Sequence, residues 1–417
     1  MKKLTSETYD IAVAGGGPAG VMAAIRAAEL GRRVALIERN DSIGKKIMIT
    51  GKGRCNITNV APIETFIEKF GSSGQFLRTA FFSFFNQDLV DMLAAKGLET
   101  KAERQGRVFP VTDKAASVVE VLKKYLIENN VDILYGERLA GVTKDSKGFK
   151  LEFESGRIIG ADKVILATGG ASYKVTGSSG DGFNIAQKLG HKVIPLKAGL
   201  VPLKVKEAWI KSLQGLALEN IRVTFQYGKK KIVSDIGELM FTHFGVSGPL
   251  VLDLSGEIVE LIPEHKEVAL FIDMKPGLRN EQLESKLIHK FASKGHSMLK
   301  NILRDIMPLR LIPVFVHIAG LSGERETNQI TQDERRSMVK LLKAFPLTVN
   351  GSLPIEEAMV TGGGVSTKEI NPRTMESRIV PGLYFAGEII DGAASSGGYN
   401  LQQAFSTGHL AGEMAAS

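Results

Sequence analysis

With a single cysteine, Cys55, in 417 residues, the chain cannot form an internal disulfide, and a reducing, cytosolic setting is expected. No apolar run approaches the length of a membrane span, so no membrane partner is expected. The opening residues MKKLTSETYD carry two lysines but no apolar core ahead of the first strand, which argues against a secretory signal. The seven histidines never fall at paired ligand spacing, which argues against a metal centre. The P-loop pattern is missing, which argues against nucleotide hydrolysis. A second G-x-G-x-x-G behind a strand is missing as well, since Gly320-Leu-Ser-Gly323 has the wrong flanks. A dedicated Rossmann domain for NAD(P)H is therefore not expected, and a nicotinamide donor would dock transiently.

What the chain does hold is concentrated first in residues 10–38, DIAVAGGGPAGVMAAIRAAELGRRVALIE. A short apolar strand runs into a G-x-G-x-x-G turn (Gly15, Gly17, Gly20), an Ala-rich helix opens on that turn, and a second strand ends in Glu38. Gly15 allows the tight turn, Gly17 lets the backbone approach a pyrophosphate, and Gly20 lets the helix pack on the sheet. Pro18 suits the first helical turn, whose free N–H groups and positive dipole end attract phosphates. Glu38 can accept from ribose hydroxyls and disfavours a 2′-phosphate. This unit binds a dinucleotide; by itself it does not separate FAD from NAD.

Further along, helical period covers Phe66 to Lys96 and Ala115 to Asn129, and Val131 to Tyr135 reads as a buried strand. A meander over Leu139 to Ile159 precedes the strand KVILA (163–167), which ends in Thr168-Gly169-Gly170. After Gly190 alternating strands dominate to about Asp273, and helical segments follow at Asn280 to Lys290, Ser297 to Ile306, Leu311 to Ala319 and Thr331 to Phe345. Thr331 and Glu334 form a capping box. Strand texture returns at Leu347 to Val349 and Ala358 to Val360, then LYFA (383–386) and a closing helix, Gln402 to Ala416. Because both ends share one texture and the middle another, the expected architecture is a nucleotide-binding domain made from both termini around an insertion.

The formal charge is +8, and Pro276 to Phe345 holds 12 Lys/Arg against 7 Asp/Glu. Lys229, Lys230 and Lys231 form a second basic run. A solvated helical surface and a surface for a polyanion such as nucleic acid both fit. Two side chains are candidate proton donors. Cys55 lies among Lys45, Lys46, Lys52 and Arg54, cations that favour thiolate, although a packing cysteine is the plainer reading. His243, in a Gly-bounded segment, is the other, with a structural histidine as its alternative. Asn56 and Asn59 can hold carbonyls of flavin or substrate, and are equally routine turn residues.

Six motifs in order carry a resemblance: GKGRCNITN (51–59), ATGG (167–170), GSSGDGF (177–183), FTHFGVSGPLVL (241–252), VTGGGV (360–365) and AGEIIDGAASSGGYNLQQAFSTG (386–408). Together with the opening GGGPAG they resemble the YhiN/BaiN-like bacterial flavoproteins, of the two-dinucleotide-binding-domain type, over almost the whole chain. Lys52 stands where relatives often have glycine. The resemblance implies an α/β fold, with a discontinuous Rossmann-like FAD domain (1–190 and 355–417), an inserted β-barrel-like region (191–275 and 346–354) and a helical subdomain (276–345). It implies FAD, held by Gly15, Gly17, Pro18, Ala19, Gly20, Glu38 and Arg39 at the first turn. Lys45, Lys46, Gly53, Arg54 and Asn56 would follow from the next loop. Ala167, Thr168, Gly169, Gly170 and Asp181 would come from the middle strand, and Gly387, Glu388, Asp391, Gly398, Tyr399, Asn400 and Leu401 from the C-terminal block, Asp391 meeting the ribitol chain.

It also implies reduction of an activated C=C bond, on steroid-type substrates in some members and on a uridine of 23S rRNA, giving dihydrouridine, in others. Three readings stay open: a reductase of rRNA uridine, an NAD(P)H-dependent oxidoreductase or oxidase of a small enone or amine, and a non-catalytic FAD-binding, RNA-associated protein.

Overall fold

The computed structural model describes residues 7–293 and 296–417, so the opening lysines and Lys294 of the basic segment lie outside the described residues. The chain divides into two compact units, one running to Gly199 and resuming at Ile355–Ser417, the other Leu200–Pro354.

The first unit is built on β1 (Thr8–Ala14), whose residues Ile11 to Ala14 are all buried. β1 lies parallel between β2 (Val34–Glu38) and the strand Ile158–Leu166. Asp132–Tyr135 extends the sheet beyond β2, and Leu383–Phe385 pairs in parallel with Ile158–Leu166. The central strands, covered on both faces, read as continuous apolar runs, which is why the sequence announces them; Asp132–Tyr135, read as buried, is an edge strand with Asp132 and Tyr135 exposed. The meander Leu139–Asp145 and Gly148–Phe153 closes the other edge antiparallel. The unit extends to Gly199 because Val193–Gly199 pairs with Val360–Val365.

The helical stretch read over Phe66 to Lys96 is three helices: Ile63–Lys69, Gly74–Ser83 and Asn86–Ala94. Gly71 (φ +53°) makes the first break, and a Cβ on Gly74 would lie 2.0 Å from the Ile67 carbonyl oxygen. At the second break the Asp88 carboxylate accepts from the Phe85 N–H at 2.7 Å, capping the next helix.

In the second unit six antiparallel strands close a ring. Ala217–Tyr227 pairs with Gly237–Phe241, then follow Gly245–Ser247, Leu203–Val205, Phe345–Ser352 and Val268–Asp273, which returns to Ala217–Tyr227. Lys230–Val233 hangs from this ring as an outer hairpin strand. Where the sequence reads as strands up to Asp273, the structure places a 17-residue helix, Pro249–His265, with Pro249 at its first position. It packs on the ring strands and buries Leu250, Val251 and Ile258 in the core they share. The later helices share one apolar core with the ring, through residues such as Leu283, Leu287, Phe291 and Leu342. Among the described residues no helix is long and apolar enough to cross a membrane.

The two segments of the first unit are joined by helix on helix. α1 (Pro18–Glu29) packs along the last helix, Tyr399–Ala416, which is buried on most of its surface. A Cβ on Gly408 would stand 2.2 Å from the Ala19 carbonyl oxygen, and one on Gly412 2.4 Å from that of Ala23. Glycines four apart thus meet alanines four apart, and the backbones touch. Gly412→Val is expected to lower the unfolding free energy by about 1–3 kcal/mol, read from urea denaturation; an unchanged midpoint would contradict this contact.

Candidate functional site

One cleft of the first unit gathers three glycine-rich junctions. Gly15, Gly17, Pro18 and Ala19 come from the first, Ala167, Thr168 and Gly169 from the second, and Glu388, Gly392, Asn400 and Leu401 from the third. Their strands are parallel neighbours, so all three junctions open at the same carboxyl edge of the sheet.

The glycines differ in what they do there. Gly15 has φ +112°, and a Cβ on it would lie 2.3 Å from the Ala167 carbonyl oxygen; a Cβ on Gly20 would lie 1.8 Å from that of Gly15. The fold demands both. At Gly17 a Cβ would meet nothing within 4 Å, and its φ of −79° suits any residue. Its missing side chain serves only a group approaching from the cleft. At the same point α1 begins with no side-chain cap and no acid in its first turn, leaving its positive end uncompensated. Thr168 Oγ1 is buried without a hydrogen-bond partner and packs on Gly182, where a Cβ would stand 1.9 Å from it. An open approach and a bare helix end fit the pyrophosphate of a dinucleotide.

Glu38 is buried on the cleft wall. Its Oε2 accepts from Gly16 N at 2.8 Å, and its Oε1 from Asn40 N and Nδ2 at 2.8 and 2.7 Å. The carboxylate fastens the first turn to the second strand and keeps lone pairs that can accept from a ribose. Every cation on the wall has an acid. Lys46 Nζ donates to Glu388 Oε2 and Ser172 Oγ, both at 2.7 Å, while Glu388 Oε1 accepts from Thr361 N at 2.8 Å. Lys45 pairs with Asp41 at 2.9 Å. Arg138 forks onto Asp181 at 2.7 and 2.9 Å, and Arg39 donates to Ser179 Oγ at 2.6 Å with Asp181 at 3.5 Å. The Arg138 fork, opposed by burial, holds the Asp181 carboxyl below the usual carboxylate range. Four basic residues (Arg39, Lys45, Lys46, Arg138) face four acids (Glu38, Glu137, Asp181, Glu388), so the wall is neutral and the backbone N–H groups of the helix end are left to attract an anion.

Several expected contacts stand elsewhere. Cys55 is buried, with φ +65°, and burial pushes its thiol up to about 11, opposed by a hydrogen bond with Thr50 and not by the cations beside it in sequence that suggested a thiolate. Arg54 turns from the cleft to Glu103 and Asp113 and stacks on Phe109 at 4.1 Å. Gly53 is exposed and does not line the cleft. Asn56 is a brace: its amide oxygen accepts from Gly398 N at 2.9 Å, and its nitrogen donates to Thr58 O and Val108 O at 3.1 and 3.2 Å. Asn59 donates to Gln105 O and Gly397 O, both at 3.0 Å.

Gly20, Gly170, Gly387 and Gly398 lie behind the wall and permit close packing: Cβ atoms there would meet Gly15 O, Thr361 Oγ1, Ala19 Cβ and Thr58 O respectively. Tyr399 is buried against Phe66 at 4.7 Å, in an aromatic cluster. Asp391 is half-buried off the wall, and burial raises its carboxyl. His243 is exposed in the second unit, edge-on to Phe244.

Sequence reasoning missed Arg138, Glu137, Ser179, Met359 and Gln403, all of which line the cleft. Arg138 had a signal, because it follows the parallel strand Asp132–Tyr135 at its carboxyl end. Met359 had none. Lys52 adopts φ +58°, a left-handed position that glycine would take without strain.

Two outcomes are expected. Gly17→Thr keeps an N-cap about as good as glycine, so the FAD-free protein should stay within about 0.5 kcal/mol of the parent while FAD affinity falls at least ~10-fold; equal flavin titrations would refute the assignment of this turn. Cys55, at about 11, should be about one part in a thousand thiolate at pH 8, so iodoacetamide should label it only after denaturation; rapid labelling of the native protein would contradict its burial.

The family model described as HI0933-like protein Rossmann domain matches residues 9–414. A 3-dehydro-bile acid delta(4,6)-reductase of Clostridium scindens is 34% identical over 408 residues, covering 97% of this chain and 98% of that protein. A ribosomal RNA dihydrouridine synthase of Escherichia coli is 32% identical over 411 residues, covering 96% of each. Among solved structures, a 3-ketosteroid delta1-dehydrogenase of Sterolibacterium denitrificans superposes with a TM-score of 0.55 at 13% identity, covering 99% of this chain and 100% of that one. At that identity the likeness is one of fold.

Proposed function

Since this chain belongs to the HI0933-like family of FAD-dependent oxidoreductases, we propose that it reduces a C=C bond conjugated with a carbonyl, and that its substrate is a uridine of 23S rRNA. The near full-length match to ribosomal RNA dihydrouridine synthases from two organisms carries this reading. The bile acid reductase fits the same chemistry: a 3-keto steroid and a uracil ring both present an alkene polarised by a carbonyl. Bound FAD supplies the hydride for such a bond. The chain's own part is to orient the dinucleotide with the α1 N-terminus, Glu38 and the three glycine junctions. The Lys46–Glu388–Ser172 network fixes the loop after β2 against the C-terminal block. We further propose that NAD(P)H recharges the flavin by transient docking, because all pairings in the second unit's ring are antiparallel and offer no second dinucleotide crevice.

A large RNA needs cations that are not already neutralised. In the segment from Pro276 to Phe345, Lys290, Lys300, Arg325, Arg335, Arg336 and Lys343 are in ion pairs. Arg279, Lys286, Arg304, Arg310 and Lys340 make none among the described residues and remain for phosphates. The six pairs favour the second reading, a small-molecule enone reductase, in which the surplus charge is only surface.

The deciding measurement is mass spectrometry of digested 23S rRNA from a deletion strain, with and without the gene restored. Dihydrouridine should vanish and return. If it persists after deletion while the FAD-loaded protein oxidises NAD(P)H with a 3-keto-4-ene steroid, the small-molecule reading takes its place.

A further inference from the structure

The second unit has a polar pocket between its ring and its helices, lined by Arg222, Asp273, Arg279, Glu281, Gln282 and Lys343 among others. Arg222 projects from the strand Ala217–Tyr227 directly opposite Asp273 in the antiparallel register, where an ion pair would be the ordinary outcome. Asp273 is already taken. Its carboxylate pairs with Lys343 at 2.6 Å and accepts from Lys275 N at 2.9 Å. Lys343 is taken too, donating to Lys275 O and Leu278 O, both at 2.9 Å, so that it pins the loop forming the pocket's rim.

Arg222 is left without an ion pair among the described residues, and its Nε is buried with no acceptor. Arg279, on the same rim, also makes no ion pair among the described residues. The backbone N–H of Arg279 donates to Gln282 Oε1 at 3.0 Å, which fixes the first turn of the helix beginning at Asn280. Against the two free guanidinium groups stands only Glu281. A buried guanidinium edge without an acceptor is a standing desolvation cost that an incoming oxyanion removes, and planar Arg donors match phosphate oxygens in geometry.

We propose that this pocket seats a phosphate group through Arg222 and Arg279. On the reading that the substrate is rRNA, that group is a phosphodiester of the RNA backbone, gripped by the barrel unit. The pocket itself rests on the geometry and not on that reading.

The test uses FAD-loaded protein, so that the dinucleotide cleft is filled, and titrates inorganic phosphate by calorimetry and thermal shift. Arg222→Gln and Arg279→Gln should each weaken phosphate binding about tenfold. In phosphate-free buffer Arg222→Gln should unfold at the same temperature as the parent or higher, because it removes a guanidinium whose Nε is buried without an acceptor, and phosphate should then raise the parent's midpoint more than the variant's. Arg279→Gln, on the rim loop, keeps the test open should the strand variant misfold. With an rRNA fragment, each variant should also lower the slope of log affinity against log salt by about one. Loss of phosphate binding with an unchanged RNA slope would uphold the pocket and assign it to a small phosphate ligand. Phosphate binding that is absent, or equal in parent and both variants, overturns the proposal. The rRNA reading fails separately, through dihydrouridine that survives gene deletion.

Discussion

The contact between α1 and the last helix is the constraint on which the rest of the first unit depends. Nearly four hundred residues separate Ala19 from Gly408, yet their backbones touch, and the same geometry repeats one turn on at Ala23 and Gly412. Helices reach this distance only where no Cβ intervenes, so the small residues on both faces are a steric requirement. The contact brings the third glycine junction beside the first. Together with the pairing of Leu383–Phe385 on Ile158–Leu166, it sets the wall that holds Glu388, Asn400 and Leu401.

The cleft formed in this way is electrostatically balanced, and that shapes its chemistry. Its cations are spent on its own acids: Lys46 on Glu388, Arg138 and Arg39 on Asp181. What remains for a pyrophosphate is the open helix end at Gly17, which is directional and holds backbone N–H groups in fixed positions. The ion pairs serve to stiffen the wall. Lys46 and Glu388 tie the loop after β2 to the C-terminal block, and the Arg138 fork ties the meander to the helix at Asp181.

The second unit solves a different problem. Six antiparallel strands leave no edge once the ring closes between Ala217–Tyr227 and Val268–Asp273. Its helices have no separate core, so they cannot be an independent module. That shared core holds Arg222 and Asp273 in register while Lys343, arriving from a helix, takes the acid that Arg222 would otherwise use.

The sequence alone determined the βαβ unit at residues 10–38, the central buried strands and the membership of both ends in one compact unit. These are local patterns: a strand covered on both faces is a continuous apolar run, and a tight turn demands glycine where φ is positive. The helix Pro249–His265 carries a helical period, with Val251, Leu254, Ile258 and Leu261 three and four apart and Asp253, Ser255, Glu257 and Glu260 between them, but it stands among strands and reads with them. Tertiary structure decided which residues face the cleft. Arg54 and Cys55 sit among lysines in the sequence, but Glu103, Asp113 and Phe109 draw the guanidinium away and burial raises the thiol. Arg138 and Met359 reach the wall by the path of distant strands. Charge neighbours along a chain say little about charge neighbours in space, because pairing and desolvation are set by contacts that only the folded chain makes.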